Sequence, residues 1–309
     1  MVARSRPLLV LVGPTAVGKT ALSLSVAQAV GGEVVSADSR LFYRGLDIGT
    51  AKPTPAERAQ VPHHLIDICA PNETLTLGDY QRRAYAVIDA LHQRGRLPIL
   101  VGGTGQYVWA VVEGWGIPRV SPQPALRQAL ARLDSAELSR WLARLDPEAA
   151  AAIHPNNVRR VIRALEVTLV SGRPISQLQR KSPPPYAVYV VGLACARARL
   201  YARADARVDA MLAAGLLDEV MALRAAGYGR TTPAMSGLGY RQLLDYLDGR
   251  ATLEEAVQRI KHATHGFVRQ QQTWFRAEDR RIKWVEVDSA EYPANVLADV
   301  QTWLTASSP

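Results

Sequence analysis

The chain has 309 residues, 48% of them apolar, and a formal net charge of +9 at neutral pH. That length allows one large or two ordinary domains with a buried core, and no apolar run approaches the roughly 20 residues of a membrane span, so no membrane association is expected. Cys69 and Cys195 lie far apart without C-x-x-C spacing, which argues against a disulfide framework or a zinc site and fits the reducing cytoplasm.

The first element is an apolar run over residues 7–12 (PLLVLV), suited to a buried parallel strand. It follows the arginines near the N-terminus directly, so a secretory signal is not expected. Next come Gly13, Pro14, Thr15, Ala16, Val17, Gly18, Lys19 and Thr20, which fit G-x-x-x-x-G-K-[ST], the nucleotide- or ATP-type loop that wraps a polyphosphate in backbone N–H groups. Residues 21–30 (ALSLSVAQAV) have helical spacing and stop at Gly31-Gly32. The loop therefore stands between a strand and a helix N-terminus, where free amides and the helix dipole attract anions. Lys19 would reach the terminal phosphate and the Thr20 hydroxyl would hold Mg²⁺.

Residues 33–37 (EVVSA) read as a second strand that leaves Asp38 and Ser39 at its carboxyl end, the edge where doubly wound sheets bind ligands. Asp38 there can ligate magnesium through water, act as a general base, or cap the next helix. Two Gly- and Pro-bearing stretches, from Gly45 to Pro53 and from Val61 to Ile68, have loop character, and the second carries His63 and His64 as possible catalytic or structural groups. A third strand over 97–101 runs into Gly102-Gly103-Thr104. A P-loop ATPase or GTPase ordinarily ends a neighbouring strand in a magnesium-binding Asp. Here the turn offers amides and a hydroxyl instead, suited to close approach to a phosphate group or to a simple strand-to-helix turn.

Composition then shifts. Residues 124–145 and 146–170 read as two helices rich in Ala, Leu and Arg, bounded by Pro- and Gly-rich stretches that end at Pro183-Pro184-Pro185. A helical insertion is therefore expected over 114–185, with the core formed by 1–113 and 186–309 and a strand returning at 186–193. Within the insertion Arg159 and Arg163 share a helix face, able to meet phosphates or to pair locally with Glu166. The last long helix opens with the capping box Thr252-x-x-Glu255 and is expected to run to about Ala277. On it His262, His265, Arg269 and Arg276 fall within an arc of about 60°, away from Ile260, Ala263, Phe267 and Trp274. That basic stripe over an apolar stripe suits either RNA phosphates or a solvated face.

In order, the segments GPTAVGKT, SADSRLFYRGLDIGTAKP, VPHHLIDI, GGTGQY, RRVIRALEV and AMSGLGYRQ resemble bacterial tRNA dimethylallyltransferases, over about residues 8–284. The resemblance implies an α/β fold, a P-loop NTPase-like parallel sheet flanked by helices with an inserted all-helical domain for tRNA. It implies transfer of a dimethylallyl group from its diphosphate to N6 of the adenosine at tRNA position 37, in the anticodon stem-loop, by a cytoplasmic monomer using Mg²⁺. It assigns Asp38 as general base and Thr104 to the oxygen that leaves with the diphosphate. The residues from Gly13 to Thr20, and Arg224, would bind the diphosphate. Asp38, Ser39, Arg40, Leu41, Arg127, Arg159, Arg160, Val161, Ile162, Arg163 and Arg269 would meet tRNA. His265, Gly266 and Gln270 depart from the family's usual polar or basic residues, so a weaker or partly pH-dependent RNA affinity is expected.

Two other classes fit parts of the pattern. In a small-molecule P-loop kinase Asp38 would bind the acceptor alcohol, but the double-glycine strand end and the helical insertion argue against it. An RNA-binding protein with an idle P-loop conflicts with intact Lys19, Thr20, Asp38 and Thr104.

Overall fold

The computed structural model describes residues 6–307. Two compact units emerge. One runs to Val112 and resumes at Pro185, and the other is Glu113–Pro184.

The larger unit is built on a six-stranded sheet: β1 Pro7–Val12, β2 Gly32–Ser36, β3 His63–His64, β4 Leu97–Gly102, β5 Ala187–Ala194 and β6 Ile282–Glu286. All neighbouring pairs are parallel, in the order β3-β2-β4-β1-β5-β6. β1 is central, and Leu8 to Val12 have no exposed surface, which is why its sequence is apolar without alternation. The Lys19–Val30 helix and the Tyr292–Ala306 helix bury Leu22, Val26, Val296 and Val300 against this sheet. A second core joins Tyr43 and Leu46 to helices Leu216–Ala225, Tyr240–Leu247 and Leu253–Trp274. The capping box at Thr252 is present, and the last of these helices stops at Trp274, three residues short of the expected end, with Phe275 already extended at φ −114° and ψ 90°. Among the described residues no helix is long and apolar enough to cross a membrane.

The smaller unit is all helical: Pro124–Leu130, Ser135–Leu145, Pro147–Ala152, Val158–Ser171 and Ile175–Leu178. The two long helices read from composition are thus four. Asp134 caps the second segment through the Glu137 N–H, and Asp146 followed by Pro147 ends one helix and starts another. Asp146, 1% exposed, also accepts from Ser176 N–H and Oγ, both at 2.8 Å. Burial would raise its pKa, but these bonds and the Ala149 N–H hold it below the ordinary carboxylate value. Glu166, with no exposed surface, receives Arg127 at 2.8 Å, Arg163 at 2.6 Å and the Gln123 N–H at 2.6 Å. Burial again pushes upward, and these partners bring it down to about 2.

Glu166 contributes stability that is fully present above the ordinary pKa of 4.5 and is lost as pH falls toward 2. Glu166→Gln is expected to cost about 2 kcal/mol at neutral pH, since both arginines remain partly solvated. Urea denaturation at pH 7 and pH 3 checks this, with the gap between variant and wild type narrowing at the lower pH.

Candidate active site

The larger unit holds two adjoining cavities at the carboxyl edge of the sheet, of about 430 and about 370 Å³. The first is lined by Thr15, Ala16, Gly18, Lys19 and Thr20, together with Asp38, Leu41, Arg203, Arg207, Phe267 and Gln271. Gly13 (φ 144°) and Gly18 (φ 107°) let the chain turn sharply out of β1 into the helix, and Ala16 takes a left-handed φ of 63°. A non-glycine residue held there stores strain of order 1 kcal/mol, as loops shaped around a ligand often do. Lys19 Nζ donates to the carbonyls of Gly13 at 2.9 Å and Pro14 at 2.7 Å, so the ammonium is held over the loop. Burial lowers its pKa to about 8; the Asp38 carboxylate opposes that shift and the Arg207 guanidinium adds to it. Burial also lowers Arg207, again against the pull of Asp38.

Asp38 follows Ala37, whose N–H extends the β2–β4 ladder to the Val101 carbonyl at 2.8 Å. Its Oδ1 accepts the Arg40 N–H at 2.9 Å, a tight turn that fixes the carboxylate at the mouth of both cavities. Thr104 Oγ1 accepts the Ser39 N–H at 3.4 Å, so the ends of β2 and β4 meet beside the carboxylate.

The second cavity shares Thr15, Ala16, Asp38, Thr50, Arg207 and Phe267 with the first, and adds Ser39, Arg40 and apolar groups including Val208, Met211, Leu216 and Ile260. Its wall at Gly49 and Thr50 is anchored from two sides. Buried Lys52 reaches the Tyr43 carbonyl, Asp47 and Asp67. Glu219 accepts the N–H groups of Asp47, Ile48 and Gly49 as well as the Tyr240 hydroxyl.

The P-loop residues, Asp38, Ser39, Arg40 and Leu41 thus converge. Arg224 lies elsewhere, exposed and paired with Asp248 at 3.0 Å. In the helical unit Arg127 and Arg163 sit on Glu166, Val161 is 1% exposed in the core, Ile162 packs against that core, and Arg159 and Arg160 are exposed. His63 and His64 do not line either cavity; His64 is bonded to Glu33 at 2.7 Å and His63 to the Val61 carbonyl. On the long helix His265 stacks on Tyr201 and meets Asp205 at 2.8 Å, while Arg269 is exposed with Nη1 on the Tyr201 hydroxyl.

Sequence reading missed Arg203, Arg207 and Gln271 and placed Phe267 on the packing stripe. Arg203 and Arg207 are four apart on the Arg197–Ala213 helix, a shared-face spacing that could have flagged them. Gln271 stands two hundred and fifty-six positions from its partner Thr15, and no local spacing foretold that pairing.

Among known proteins, a model of the IPP transferase family matches residues 41–278. The chain is similar to a tRNA dimethylallyltransferase of Roseiflexus sp. (strain RS-1), 53% identical over 97% of this chain and 99% of that one. A crystal structure of a tRNA isopentenylpyrophosphate transferase from Bacillus halodurans superimposes with TM-score 0.74 at 40% identity, covering 98% of both chains. A eukaryotic dimethylallyltransferase solved acting on tRNA superimposes with TM-score 0.86 at 25% identity, covering 99% of this chain and 81% of that one.

Because Lys19 titrates near 8 when the loop is free, inorganic pyrophosphate should bind well below that pH and lose affinity above it, as the ammonium gives up its proton. Calorimetry from pH 7 to pH 9 reads the change, and Lys19→Met should flatten most of the profile; a profile as steep in the variant would exclude Lys19 as its source.

Proposed function

The chain belongs to the IPP transferase family, and from that premise we propose that it transfers a dimethylallyl group from dimethylallyl diphosphate to N6 of the adenosine at tRNA position 37, releasing diphosphate. The observation that carries the chemistry is Asp38, the one carboxylate among the described residues that lines both cavities. One cavity is walled by Lys19, Arg203, Arg207 and the P-loop, and suits a diphosphate. The other, partly apolar and wide enough for a base, suits an adenine taken out of its stack.

An adenine amino group is a poor nucleophile because its lone pair is delocalised into the ring. The Asp38 carboxylate accepts one N6 proton as the new C–N bond forms. The allylic C–O bond breaks, and its electron pair leaves on the diphosphate oxygen. Lys19, Arg207 and the loop amides stand where that negative charge grows, and charge preorganised in this way is usually the largest catalytic contribution. The Thr104 hydroxyl, held beside Ser39, is assigned to the departing oxygen.

Prenyltransferases generally use a divalent metal, and we assign Mg²⁺ here. Among the described residues no group of three His, Cys, Asp or Glu could hold an ion. The Thr20 hydroxyl in the first cavity still fits a hard ion that keeps most of its water and takes substrate phosphate oxygens. Bound there it would neutralise diphosphate charge. On the RNA side we assign Ser39, Arg40 and Leu41 beside the base and exposed Arg159, Arg160 and Arg269 to phosphates, with Arg127 and Arg163 contributing from their places on Glu166. The enzyme would act as a monomer in the cytoplasm, where its tRNA substrate resides.

Mass spectrometry of nucleosides from tRNA incubated with the protein and dimethylallyl diphosphate tests the reaction; absence of the prenylated adenosine would sink it. Asp38→Asn should lower kcat by about 10²–10⁴-fold. Its tRNA dissociation constant should stay close to wild type, and unchanged turnover would remove Asp38 from the role of base.

A further inference from the structure

The carboxamide of Gln271 makes two bonds to residues far away in the chain. Its Oε1 accepts the Thr15 N–H at 2.8 Å, and its Nε2 donates to the Gly103 carbonyl at 3.0 Å. Thr15 is in the loop that leaves β1, and Gly103 in the turn that leaves β4, the neighbouring strand. The residue is 3% exposed, so neither bond can be exchanged for water at little cost. One partner is a donor and the other an acceptor, so only one orientation of the amide satisfies both, and only Gln or Asn carries the two complementary ends.

Gly103 confirms how closely this side chain is fitted. A Cβ there would lie 2.1 Å from Gln271 Nε2 and 3.3 Å from the Gly13 carbonyl. A methyl group at the second glycine of the Gly-Gly-Thr turn would therefore push the amide off its two bonds and press on the phosphate loop. Arg207 Nη1 approaches Thr15 Oγ1 at 3.5 Å, so Thr15 is braced through its side chain as well. Gln271 also sits on the helix that brings Phe267 and Gln270 to the second cavity.

We propose that Gln271 is a positioning residue: it ties the phosphate loop to the Thr104 turn, so that the groups receiving the diphosphate and the hydroxyl at its departing oxygen form one rigid frame. This rests on the reaction proposed above. Two independent strand-end loops would place Lys19 and Thr104 correctly only part of the time, and a displacement of about 1 Å between catalytic groups can cost about 10²-fold in rate.

Gln271→Met preserves length and removes both bonds. Expected are a kcat about 10²-fold lower, a KM for tRNA within about threefold of wild type, and inorganic pyrophosphate binding weakened by about tenfold, in a protein whose melting transition stays cooperative. Gln271→Glu keeps the acceptor for Thr15 and loses the donor for Gly103, and Gly103→Ala pushes the amide aside; both should show the same fall in kcat. The double variant of Gly103→Ala and Gln271→Met should be no worse than about threefold below the lower single variant, because both break one contact. A folded Gln271→Met with kcat and pyrophosphate affinity within about threefold of wild type would overturn the proposal, as would fully multiplicative losses in the double variant. If Gln271→Met does not fold, Gln271→Glu and Gly103→Ala decide by the same criteria. Wild type that binds pyrophosphate but transfers no prenyl group would refute the reaction alone, and the pyrophosphate affinity ratio would still decide the tie.

Discussion

Close backbone approach at the carboxyl edge of the sheet is the constraint on which the site depends. A Cβ at Gly102 would lie 2.2 Å from the Ala37 carbonyl, one at Gly13 would lie 2.8 Å from the Leu193 carbonyl, and one at Gly103 would strike Gln271. Only chains without side chains at these points can bring the ends of β1, β2, β4 and β5 within van der Waals distance. That approach places Lys19 and Asp38 around one cavity although they follow different strands, and sets Thr104 beside Ser39 next to it.

Burial then gives these groups their chemical character. Lys19 and Arg207 are both held with lowered pKa because burial excludes water from around them, and Asp38 is the negative charge that opposes the shift. Two desolvated cations facing one carboxylate are costly in a free enzyme. In the proposed reaction a diphosphate would supply the missing negative charge, and the site would bind that leaving group more strongly as charge builds on it. The helical unit uses the opposite strategy. Its buried carboxylate Glu166 is fully compensated by two arginines and an amide, an arrangement that fixes structure.

Much of the catalytic core was legible in the residue order. An unbroken apolar β1, the G-x-x-x-x-G-K-T spacing and an acidic residue just after β2 are local signals, set by the period of a parallel strand and the needs of a helix N-terminus. The Gly-Gly-Thr strand end without an aspartate was equally local, and it separated this site from ATPases. Arg224 carried no such signal, and it lies on Asp248 away from the cavities. The helical insertion was visible in composition, but its segmentation was not, because a buried Asp146 that caps one helix and binds Ser176 looks in sequence like any surface aspartate. Phe267 read as core because helical periodicity reports which face is apolar and cannot say whether that face meets packed side chains or a cavity.

The sequence by itself determined the phosphate loop, the parallel-sheet class, the position of Asp38 and, through the ordered motifs, the family. Each of these is written in neighbouring residues, where strand period, turn chemistry and helix caps act. Only the tertiary structure decided that Arg203, Arg207 and Gln271 complete the site, that Asp38 serves two cavities, and that Arg127 and Arg163 rest on a buried Glu166. Those facts depend on contacts between residues far apart in the chain, whose geometry is set by close packing of strand ends and helices and leaves no trace in local spacing.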